Sequence, residues 1–201
     1  MLPLTQSPAN LAQGEDWLTP PERLVVAYAP KGMRAAWAGF FALERRLADA
    51  ARPERNPMMI QLRLAWWRDR FNEPASTWPM GEPLLELLAA WDGERAALGG
   101  LVDGFEARNV GSDGGRQLGS ARVEAMAALA RMSGADSDAA VRITAEDWLG
   151  LTKAPSPLPK LPRSMRPLVI LRGMAAHADS GSSVPAWREF LVIIRLGISG
   201  R

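Results

Sequence analysis

Residues 31–51 read KGMRAAWAGFFALERRLADAA, and this stretch decides the fold class. Met33, Trp37, Phe40, Phe41 and Leu47 recur at steps of three and four. That period lines up apolar side chains along one face of an α-helix. Pro30 bounds the stretch before and Pro53 after, and proline interrupts the helical hydrogen-bond ladder. A second helix is expected from Pro57 to Phe71, with Met58, Ile60, Leu62, Leu64, Trp66 and Trp67 as its apolar residues. Asn72, Glu73 and Pro74 close it.

Working outward, the same signals recur. A helix is expected over 15–28, with Thr19 as its cap and Pro20 and Pro21 in its first turn. Another is expected from Pro83 to Arg108, weakened into two pieces by Gly93, Gly99 and Gly100. Further helices follow from Gln117 to Met132, from Asp136 or Ser137 to Leu151, from Arg166 to Ala178 and from Pro185 to Leu196. Lys153–Pro167 carries five prolines and reads as an extended connector onto which Leu158 and Leu161 dock. No segment rich in Val, Ile and Thr alternates with period two, so no sheet is expected. The expectation is an all-α, single-domain helical bundle over 15–201, preceded by a mobile tail over 1–14.

Composition removes several chemistries. The chain has no cysteine and one histidine, His177. Disulfides, thiolate ligands and multi-histidine zinc sites are therefore excluded. The balance of 24 Lys and Arg against 22 Asp and Glu leaves no nucleic-acid footprint. No stretch approaches the ~20 apolar residues that span a bilayer. The N-terminus has no basic, apolar leader. The expected location is cytoplasmic, with peripheral membrane contact allowed and no transmembrane segment. The Asp113-Gly114-Gly115 turn is too short for a phosphate cradle, and no nucleotide fingerprint is present.

Two features single out residues. Glu44 lies on the apolar stripe, four residues after Phe40 and three before Leu47. A carboxylate there needs a partner, and Arg63 or Arg68 on the next helix is expected to supply it. Trp66 and Trp67 diverge by about 100° around their helix. One is expected in the core and the other toward a groove or partner.

The segment Pro30–Phe71, and within it the run Leu62-Arg63-Leu64-Ala65-Trp66-Trp67-Arg68-Asp69, resembles the squalene/phytoene synthase family, in particular its short bacterial and mitochondrial outliers. Arg34, Phe40, Phe41, Ala42 and Leu43 fall on the helix that in that family leads into the first acidic motif. Pro162–Leu168 is similar to the connector of the short members. The resemblance implies an isoprenoid-synthase-type bundle in shortened form. Active members carry two D-x-x-x-D motifs whose carboxylates bind diphosphate through Mg²⁺, because a four-residue step places both on one helix face.

This chain departs from that pattern. The first motif falls at Ala48, Asp49 and Arg52, and only Asp49 is acidic. No D-x-x-x-D occurs, and the nearest spacing is Glu82 and Glu86. The resemblance therefore implies a catalytically inactive relative with no cofactor, similar to the mitochondrial assembly factor for respiratory complex I. It would bind a protein partner or a prenyl lipid. Arg34, Glu44, Asp49, Arg63 and Arg68 are the ligand or diphosphate candidates, and Trp66 and Trp67 the partner-surface candidates. The alternative is a divergent Mg²⁺-dependent prenyl-diphosphate transferase of isoprenoid biosynthesis, using Glu44, Asp49 and a third ligand.

Overall fold

The computed structural model describes residues 17–179, except 112 and 114. Among these residues the chain is helical, with no strand. The α-helices are α1 (Pro20–Ala27), α2 (Arg34–Ala50), α3 (Pro57–Asn72), α4 (Pro83–Leu88), α5 (Arg95–Val110), α6 (Arg116–Met132), α7 (Asp138–Trp148) and α8 (Arg166–Asp179). Short 3₁₀ turns precede α2, follow α3, join α4 to α5 and lead into α8. The expected tail over 1–14 and the expected helix over 185–196 lie outside the described residues. One continuous apolar core runs from Leu18 to Ile170, which accords with a single domain. No described helix is long and apolar enough to cross a membrane.

Local chemistry sets the ends. Thr19 caps α1 in a reciprocal box: Glu22 N–H donates to Thr19 Oγ1, and Thr19 N–H donates to Glu22 Oε2 at 2.6 Å. The helix thus begins after Thr19 rather than at Glu15, because the capping box satisfies its first free N–H groups. Asn56 caps α3 by accepting from Met58 N–H at 2.9 Å, with Pro57 in the first turn. Trp78 seals the other end, its indole N–H donating to Arg70 O and Glu73 O.

The stripe read in residues 31–51 becomes the centre of the molecule. Along α2, Ala36, Trp37, Gly39, Phe40, Phe41, Ala42, Leu43, Leu47 and Ala50 are buried. This is wider than one stripe, because α2 touches α1, α3, α4, α5 and α6. Trp91, from the turn between α4 and α5, donates its indole N–H to Ala36 O at 3.0 Å.

The expected break within 83–108 is real but falls in one place only. The 3₁₀ turn Ala89–Glu94 holds Gly93, whereas Gly99 and Gly100 continue inside α5. Packing overrides propensity there. A Cβ on Gly100 would stand 4.0 Å from Ala121 of α6, and one on Gly104 would stand 2.7 Å from the Leu118 Cα. Small residues let α5 and α6 approach closely. In the proline connector Leu161 packs on the core, as expected, while Leu158 stays exposed. Asp147 ties this region together: it accepts from Ala154 N–H at 2.8 Å and from Arg172 of α8.

Two outcomes follow from these contacts. Gly104→Ala is expected to destabilise the fold by about 1–3 kcal/mol, since the Leu118 backbone must give way; urea denaturation measures it. The Ala154 N–H, and next the Arg172 guanidinium, hold the Asp147 carboxyl below its ordinary value near 3.8, against the opposing effect of burial. A depressed carboxyl stabilises above its unfolded pKa, and that stability is lost as pH falls through the folded one. Asp147→Asn should therefore melt lower than the parent at neutral pH, with the gap closing on acidification.

Candidate functional site

Glu44 does not pair with Arg63 or Arg68. It lies on α2, mostly buried, and accepts from Arg122 of α6, whose Nε stands 2.9 Å from Oε2. The Arg122 guanidinium also rests over the Phe105 ring at 5.9 Å. The reason is topological: α6 packs against the Glu44 face of α2, a contact no local spacing announces. Arg68 instead donates to Asp103 at 2.8 Å and to Glu106, both on α5. The hydrogen bond it donates to Asp103 leads the interactions that raise its pKa above the usual arginine value. Arg34 donates to Ala27 O at 3.1 Å and Ala29 O at 3.4 Å, so it caps the end of α1.

Asp49 sits on the surface of α2, about 140° around the helix from Glu44. These two carboxylates therefore do not converge. Arg55 donates to Asp49 Oδ2 at 2.7 Å, and Arg52 lies 3.1 Å from Oδ1. Arg52, three residues after Asp49 in the sequence, thus helps to neutralise it. The Arg55 hydrogen bond, supported by the charges of Arg52 and Arg63, holds the Asp49 carboxyl below its ordinary range. Glu82 is engaged by Arg46 at 3.3 Å. Among the described residues no group of three or more His, Asp or Glu is placed to hold a metal ion.

Asp49 marks the meeting of two surface grooves. One, of about 620 Å³, is lined by Trp17, Leu18, Ala42, Arg45, Arg52 and Leu84 among others. The second, of about 380 Å³, is lined by Arg55, Arg63, Trp66, Trp67 and Glu82 among others. Arg46 and Asp49 line both. The structure thus brings Asp49, Arg63, Trp66 and Trp67 together and leaves Arg34, Glu44 and Arg68 elsewhere.

Helix α3 presents two apolar sides. Ile60, Leu64, Trp67 and Phe71 are buried. Met58, Leu62 and Trp66, at four-residue steps on the other side, are 72%, 58% and 40% exposed, and Met59 beside them is 46% exposed. The tryptophans divide as expected, with rings edge to face at 4.8 Å. Met58, one of the apolar residues expected on this helix, faces outward together with Met59, because α3 enters the core through the side that meets α2 and α5.

Comparison with protein-family models, curated sequences and solved structures finds no match to this chain. Arg45, Arg46, Arg52 and Arg55, which sequence reasoning did not nominate, complete the groove. Their signal was a cluster of arginines flanking a lone aspartate, between residues 45 and 55.

The Glu44–Arg122 pair is expected to be structural. Glu44→Ala should cost about 2 kcal/mol by stranding a half-buried guanidinium, while the double change Glu44→Leu, Arg122→Met should be nearly neutral. Thermal melts of the three proteins distinguish this from a ligand-binding role.

Proposed function

We propose that this chain is a non-catalytic, squalene/phytoene synthase-like protein that acts by binding a protein partner through the outer side of α3. The observation that carries the reading is the row Met58, Leu62 and Trp66, three large apolar side chains left in water beside a basic groove. Large exposed apolar patches mark interaction surfaces, and tryptophan and arginine are the side chains most enriched among binding hot spots. The assembly of a respiratory complex is the setting that the family resemblance suggests.

Two features favour binding of a protein over prenyl-diphosphate chemistry. Trp37, Phe40, Leu43, Leu47, Trp91, Leu98, Leu101 and Phe105 are at most 1% exposed. These side chains fill the interior around α2 and leave no exposed surface among them for a prenyl chain. The carboxylates at Glu44 and Asp49 diverge, and each is held by arginine. The apolar floor of the larger groove, with Leu18, Ala42 and Leu84, favours a second reading in which an isoprenoid lipid lies on the surface there.

A photo-reactive phenylalanine analogue placed at position 62 or 66 in cells tests the first reading. A discrete protein adduct is expected from both positions, with none from exposed position 151. Leu62→Glu in the chain labelled at 66 should abolish it. Adducts that are absent, or equal at all three positions, would remove the reading. Stabilisation by farnesyl diphosphate in a thermal melt would transfer support to the lipid.

A further inference from the structure

The row on α3 is short. Met58 to Trp66 spans about 12 Å of helix, whereas a stable interface covers roughly 800 Å² on each partner. A partner seated on the row must extend onto neighbouring surface, and one neighbour is chemically distinctive. Trp66 lines the smaller groove, so the apolar row and the arginine-lined grooves are continuous.

Among the described residues, the charge in these grooves does not balance. Arg45, Arg46, Arg52, Arg55 and Arg63 line them, against Asp49 and Glu82, with Glu22 bound to Arg45 from outside. The local excess of two positive charges equals the formal excess of the whole 201-residue chain, +2. Asp49 is held by Arg52 and Arg55 and lies within the field of Arg63. A single carboxylate thus serves three guanidiniums. The Arg52 side chain remains 63% exposed and that of Arg46 51%, so their remaining N–H donors face solvent.

We propose that these grooves take an acidic polypeptide segment of a partner protein, whose carboxylates pair with Arg46, Arg52 and Arg63 while its apolar side chains lie against Trp66 and Leu62. The inference rests on the protein-binding reading of α3 and names the chemistry of the partner. Arginine forks match carboxylates in pairs of parallel hydrogen bonds. Concavity favours a chain segment over a bilayer, which is flat and cannot enter a groove.

Selection of a random displayed peptide library on the intact chain provides the test. Enriched peptides should carry several Asp or Glu beside one or two large apolar residues. Their binding should fall steeply with salt and weaken about 10-fold or more, a change of about 1.4 kcal/mol, in Arg46→Glu, Arg63→Glu. Arg46→Lys, Arg63→Lys should retain most of it, and thermal melts certify that both doubles fold. Charge-neutral consensus peptides, or acidic ones indifferent to the reversal, would overturn the proposal. If such peptides still depend on Leu62, the α3 reading survives alone. Failure to enrich any peptide also overturns it. So would loss on reversal confined to phosphatidylserine vesicles or inorganic phosphate, which assigns the arginines to a lipid headgroup or a small anion.

Discussion

Burial of α2 is the constraint on which the rest of the structure depends. A helix that touches five others cannot expose a polar face along most of its length. Its residues from Ala36 to Leu43 are accordingly small or apolar, and all but the partly buried Ala38 are buried. Gly39 answers the same demand: a Cβ there would stand 3.2 Å from Leu88 Cδ2, so its absence lets α4 lie close. Trp91 plugs the remaining space and satisfies its indole N–H on the α2 backbone. The packing around α2 leaves its C-terminal half to carry the polar chemistry, where Arg45, Arg46 and Asp49 emerge on the surface.

Arginine is the second organising element. The chain is stitched by guanidinium–carboxylate pairs across elements: Arg122 to Glu44, Arg68 to Asp103 and Glu106, Arg131 to Glu94, Arg142 to Glu124, Arg172 to Asp147. Such half-exposed pairs add modest stability, but each requires one register between two helices. Where carboxylates match arginines the surface is closed to further pairing. The exception is the pair of grooves around Asp49, where guanidiniums outnumber carboxylates.

Helix α3 links these two themes. A helix apolar on one side is buried on that side, whereas α3 is apolar on both. Its inner side, Ile60, Leu64, Trp67 and Phe71, is a sufficient anchor to α2 and α5. The outer row stays exposed, although Trp66 packs edge to face on Trp67. Its placement next to the arginine excess joins the apolar and the electrostatic components of recognition, and it does so on a rigid helix capped at both ends.

Among the described residues, the sequence by itself determined which segments are helical and their order, because caps, prolines and the 3.6-residue period act over a few residues. Thr19, Asn56, Pro57 and Gly93 each mark a boundary that the structure keeps. It also indicated that one of Trp66 and Trp67 would face outward. Only the tertiary structure decided which arginine meets which carboxylate. Glu44 lies 78 positions before Arg122, and no periodicity within one helix encodes the crossing that joins them. For the same reason the outward turn of Met58 and Met59, and the union of Arg45 through Arg63 into one basic groove, were not legible. Side chains of one type read alike whether they face a neighbour or water, and only the packing of helices against one another separates the two.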